Sequence, residues 1–111
     1  MTSPDFLPDT YAEVHRADLL RQITPKAADH VLWHARGFDA ATLTGKEPGS
    51  FTKKLIDAIK AADPGNRHKL ALGFPDYVAA LNLLDLPLHQ YEENLARLAV
   101  IARPGSIGGG M

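Results

Sequence analysis

Glycine and proline are spaced so closely along this chain that no long helix can form. Thr24-Pro25, Gly37, the cluster Gly45, Pro48 and Gly49, then Asp63-Pro64-Gly65, Gly73 with Pro75, Leu86-Pro87 and Pro104-Gly105 divide the 111 residues into short segments. Proline removes an amide donor and fixes φ, and glycine weakens any helix interior, so each of these points favours a start, a stop or a corner.

Within the segments the apolar residues recur at helical spacing. After a Pro-rich opening at Pro4 and Pro8, Val14, Ala17 and Leu20, widened by Leu19 and Ile23, predict a helix over residues 10–23, capped by Asp9 or Thr10. Thr24-Pro25 reads as an N-cap followed by proline at the first helical position, and a second helix should run to about Arg36 with Ala28, Val31, Leu32 and Ala35 as its core stripe. The stretch from Gly37 to Gly49 has no clear period and reads as a loop. Ser50 then caps a third helix with Phe51, Leu55, Ile59 and Ala62 on one side and Lys53 placed to pair with Asp57.

In GNRHKLALGFPDYVAAL, Asn66 is placed to cap a short helix through Leu72. Gly73 supplies the permissive backbone for its stop, and Pro75 restarts the chain. Phe74, Tyr77, Val78 and Leu81 then face one way until Asp85. The last helix carries Leu88, Tyr91, Leu95, Leu98 and Ala102 in steps of three and four, with Glu93 and Arg97 able to pair. Its stripe suits an intramolecular core or a homodimer seam. No strand signal competes, so the expected architecture is all-α, a compact bundle of five or six short helices with Gly/Pro corners. Residues 1–104 form a single domain on this reading, followed by a flexible Gly-rich tail over 105–111.

Charge and cysteine content narrow the chemistry. With 12 Lys plus Arg against 13 Asp plus Glu, the chain lacks the basic excess that phosphate recognition uses, so nucleic acid is unfavoured as a partner. The absence of cysteine removes disulfides, thiolate nucleophiles and Cys-based zinc or iron-sulfur sites. The N-terminus has no basic segment followed by an apolar run, and no stretch is long and apolar enough to span a bilayer, so a cytoplasmic location is expected.

Motif searches find little. HVLWH puts His30 and His34 one turn apart, a spacing that can share a divalent ion, but Val31 stands where the zinc-protease glutamate belongs and no third ligand follows. TLTGKEPGS has Ala40 where a phosphate loop needs its first glycine and Glu47 where it needs Ser or Thr. No serine sits in a nucleophile elbow, and Asp18 three residues after His15 reads as a local helix pair. A helix-turn-helix centred on Gly73 would offer Asp76, Ala79, Ala80 and Asn82 to DNA, without a single basic side chain. No enzyme activity, cofactor or metal is expected.

Two surface clusters remain. His30 and His34 point away from the core stripe of the second helix and Trp33 lies at the edge of the opposite flank; either another helix covers that side and Trp33 is core, or, since exposed Trp and His are enriched where one protein meets another, the three form the expected contact face for a protein partner. Lys53, Lys54, Lys60, Arg67 and Lys69, with His68, form the alternative: a local basic patch of a small nucleic-acid-associated regulator. A histidine metalloenzyme is a third, weaker alternative.

The segment NRHKLALGFPDYVAAL in its short helical frame resembles small uncharacterised helical proteins of actinobacteria and their phages. The resemblance implies an accessory protein made during phage infection that binds a host or phage protein, and it carries no site residues.

Overall fold

The structure is a computed structural model, which describes residues 6–40, 43–86 and 88–103. Six α-helices account for most of them: α1 (Phe6–Gln22), α2 (Pro25–Arg36), α3 (Ser50–Ala61), α4 (Pro64–Gly73), α5 (Pro75–Leu84) and α6 (Tyr91–Ala102), the last preceded by one 3-10 turn at Leu88–Gln90. The all-α bundle anticipated from the breakers is what the chain forms. The expected tail over 105–111 lies outside the described residues.

Capping follows the sequence at one site and departs from it at three. Thr24 Oγ1 accepts the Ala27 amide at 3.2 Å, with Pro25 in the first turn, as the Thr-Pro pair predicts. Asp63 does the same for α4, accepting the Asn66 amide at 2.8 Å, so Asp63-Pro64 is a helix start and Asn66 lies inside the helix. Ser50 is the first residue of α3, and Gly49 caps it without a side chain. Helix α1 begins at Phe6, before Asp9 and Thr10; Pro8 falls in its first turn, where the amide it lacks would have no partner.

The Gly73-Pro75 corner is made by Phe74, which ends α4 and opens α5 with φ −135° and ψ 60°. Gly73 remains helical, and a Cβ there would meet nothing within 4 Å, so the permissive backbone expected of it is not used.

Helix α5 is the centre of the bundle and packs on α1, α2, α3, α4 and α6. Tyr77, Val78, Ala79, Ala80, Leu81 and Leu83 are all buried, which removes Ala79 and Ala80 from any DNA-reading face. Small alanines on the flank let neighbouring helices approach closely. Around it lie Leu19 of α1 and Ile23 just after that helix, Val31 and Leu32 of α2, Leu55, Ile56 and Ile59 of α3, and Leu95, Leu98 and Ala102 of α6. The α6 stripe therefore packs within its own chain, chiefly on α2 and α5. Three expected core positions are exposed: Val14 and Ala17 on α1, and Phe51 at the start of α3.

The aperiodic segment after α2 is tied down by polar contacts. Asp39 and Thr44 exchange backbone hydrogen bonds of 2.9 and 3.3 Å, and the buried Asp29 carboxylate accepts the Gly45 amide at 2.9 Å. Arg103, just past α6, donates to the Leu43 carbonyl at 2.9 Å. A buried amide must find a partner, and a carboxylate on α2 supplies one here.

Candidate interaction surface

The solvent side of α2 meets α3 and α5 along a seam that holds all three expected contact residues, none of them fully exposed. The His30 imidazole stacks on the Tyr77 ring, with centroids 6.0 Å apart, and its Nδ1 shares a 2.7 Å hydrogen bond with the Tyr77 hydroxyl. Lys53 Nζ lies 5.1 Å from the centroid of Trp33, in cation-π range, and also contacts Glu47 at 2.5 Å. Lys60 Nζ donates to His34 Nε2 at 3.1 Å.

These contacts set the charge state of the seam. Burial, reinforced by Lys26, holds the His30 pKa below its ordinary value, and burial with Lys60 does the same for His34. Both rings are neutral at pH 7. Tyr77 is pushed up, first by burial and then by Asp76, so it stays a protonated phenol able to donate. Its other neighbours close the network: Thr52 hydrogen-bonds to it, and Asp76 accepts the Thr24 hydroxyl at 2.9 Å.

The second cluster read from the sequence is divided by the fold. Seven residues are almost two turns, so Lys53 and Lys60 share the flank of α3 that meets α2 and belong with Trp33 and His34. Arg67 is held inward: it donates to the Ile59 carbonyl at 2.8 Å, to Asn82 Oδ1 at 2.6 Å and to the Asp85 carboxylate at 2.6 Å. It also lines a cleft of about 440 Å³ with Ala62, His68, Ala71 and Val78. Lys54 and Lys69 are exposed on other faces. The five basic residues do not form one continuous patch.

Among the described residues no group of three or more His, Asp or Glu side chains is close enough to hold a metal ion. The expected His15–Asp18 pair is replaced by Asp18–Arg21, and the expected Lys53–Asp57 pair by Lys53–Glu47; Glu93–Arg97 forms as expected at 2.8 Å. Arg16–Glu93 and Arg36–Glu92, each at 3.5 Å, tie α6 to α1 and α2.

Sequence reasoning missed Tyr77, Thr52 and Glu47 as members of the seam. Tyr77 lies 47 residues from His30, and no local pattern links the two. Comparison with protein-family models, with curated proteins and with solved structures found no match. None of the described helices is long and apolar enough to cross a membrane.

Proposed function

We propose that this chain is a noncatalytic helical protein that works by binding another protein, with the α2 seam around Trp33 as its contact face. The observation that carries the reading is the placement of Trp33: a large indole left partly open, with Lys53 over its ring and two neutral histidines beside it. Half-buried aromatic groups that are already held in place contribute much contact area at little entropic cost, which is the character of an interface anchor. Neutral imidazoles and a phenol add hydrogen-bonding capacity without buried charge. In biological terms this is an accessory protein of actinobacteria or their phages that engages a bacterial host factor.

The test is affinity capture with the full chain from a producing cell, followed by titration of the recovered and purified partner. Trp33→Ala and His34→Ala should weaken that interaction by about tenfold or more, as loss of an interface anchor does. Equal binding by wild type and Trp33→Ala would remove the seam as the contact face. Binding to duplex DNA that weakens steeply with salt and depends on Lys54 and Lys69 would favour the regulator instead.

A further inference from the structure

The side of α4 turned toward α5 does not pack shut. Pro64, Arg67, His68 and Ala71 are spaced to fall on one stripe of α4, and Val78 and Asn82 lie one turn apart on α5. With Ala62, just past α3, they line the cleft of about 440 Å³. Helix α4 has no buried residue, and where bulkier side chains would fill the gap the chain has Ala62 and Ala71. The volume falls in the range of small-molecule sites, and no residue of the lining belongs to the α2 seam.

The polar wall of the cleft is held in place and offers donors. Arg67 is anchored through Nε to the Ile59 carbonyl and through Nη1 to Asn82 Oδ1 and the Asp85 carboxylate. Three acceptors thus fix the guanidinium, while Nη2 has no partner among the described residues. Because Asn82 Oδ1 accepts from Arg67, the orientation of its amide is set and Nδ2 is a second donor without a partner among the described residues. Neither nitrogen is sealed from solvent. Pro64, Ala71 and Val78 supply the apolar part of the lining.

Charge then decides which acceptor suits these donors. One guanidinium here is set against two carboxylates: Asp85, paired with Arg67 at 2.6 Å, and Asp63, which caps α4 between the lining residues Ala62 and Pro64. Other charges nearby are turned elsewhere. Lys60 donates to His34, Asp57 acts on the same imidazole, and Lys69 lies about 200° round α4 from Arg67. An anion would add a third negative charge to a cation that is already neutralised, and a cation would meet N–H groups instead of acceptors.

We propose that this cleft binds a small apolar molecule carrying a neutral hydrogen-bond acceptor, such as a carboxamide or ketone carbonyl. Its oxygen accepts from Arg67 Nη2 and Asn82 Nδ2, and its apolar body covers Ala71 and Val78. Since Arg67 is anchored before the ligand arrives, little side-chain freedom is lost on binding. The activity is additional to protein binding at the α2 seam and independent of it.

The test is ¹H–¹⁵N correlation NMR of the full chain titrated with benzamide, benzoate and benzamidinium, which share one ring and differ in the charge and polarity of the attached group. Saturable shifts of the Arg67, Ala71, Val78 and Asn82 amides and of the Asn82 side-chain NH₂ are expected with benzamide, with affinity about tenfold or more weaker for the two ions. Asn82→Asp keeps an acceptor for Arg67 but replaces the donor with a carboxylate oxygen, so it should retain the wild-type melting temperature while weakening benzamide about tenfold or more. Ala71→Leu fills the cleft without touching either donor and should weaken benzamide as much. Trp33→Ala should bind it like wild type. No saturable shift at the lining, benzoate or benzamidinium binding as tightly as benzamide, or unchanged benzamide affinity in either cleft variant would overturn the proposal.

Discussion

Three glycines distinguish what the loop after α2 requires from what a helix end merely tolerates. Gly45 has φ +85°, and a Cβ there would fall 2.3 Å from the Gly37 carbonyl oxygen, 3.1 Å from the Gly37 carbonyl carbon and 3.2 Å from Phe38 Cα. All three are backbone atoms, so no side chain can swing aside. Gly37 has φ +83° and ψ −163°, but a Cβ there meets nothing within 4 Å. Gly73 has neither problem. Backbone forced into a conformation that L side chains avoid costs about 1–3 kcal/mol, and Gly37→Ala should show that term alone. Gly45→Ala adds displacement of the Gly45 amide from the buried Asp29 carboxylate, about 1–3 kcal/mol more, for a total of about 2–6 kcal/mol. At about 4 °C per kcal/mol for a chain of this size, Gly45→Ala should melt at least ~8 °C below wild type. Thermal unfolding of the three alanine variants reads the order directly: Gly73→Ala at or above wild type, Gly37→Ala lower, Gly45→Ala lowest. A Gly45→Ala variant as stable as Gly37→Ala would refute the close backbone approach and the anchoring role of Asp29.

Other consequences follow from the same geometry. Gly73→Ala should raise stability by about 0.4–1 kcal/mol, since the site is helical and open, and chemical denaturation will measure it. Asn94 is fully buried; its amide donates to the Leu83 carbonyl at 3.1 Å while its own oxygen has no partner among the described residues. Because Leu83 O also receives the Leu86 amide, Asn94→Leu leaves no orphaned group there and should be neutral or stabilising by about 1 kcal/mol in the same denaturation assay, whereas Asn94→Ala should destabilise through the cavity it opens. His30 and His34 have folded-state pKa values below the ordinary 6.5, so between those values and 6.5 the unfolded chain binds more protons. Their contribution to stability is complete above pH 6.5 and is lost as pH falls toward the lowered values; His30→Gln and His34→Gln should flatten the melting temperature between pH 7 and pH 5.

The helix count and most helix bounds were legible because proline and glycine punctuate the chain so densely. Thr24-Pro25 is a clear start signal, whereas the equivalent Asp63-Pro64 is masked by the following Gly65, which makes the triplet look like a turn. Periodicity found the apolar face of each helix but could not say whether a neighbour covers it, which is why Val14 and Phe51 proved exposed. It also understated α5, where Ala79 and Ala80 fill space between helices that no one-dimensional pattern reveals. The histidines and Trp33 were visible as residues outside the core stripe of α2. Their partners Tyr77, Lys53 and Lys60 come from other helices and were not legible as such, because cation-π and hydrogen-bond contacts over such separations leave no local spacing to detect.

Everything proposed for the α2 seam depends on Trp33 being open to a partner while held by Lys53. As the sole Trp, it reports on itself without ambiguity. The measurement that addresses this most directly is its emission maximum and acrylamide quenching in the purified protein, repeated with Lys53→Met. An emission maximum between those of buried and free indole is expected, with quenching at an intermediate rate that rises when Lys53 is replaced. A blue-shifted emission that acrylamide does not reach, unchanged by Lys53→Met, would place Trp33 in the core and contradict the proposed contact face.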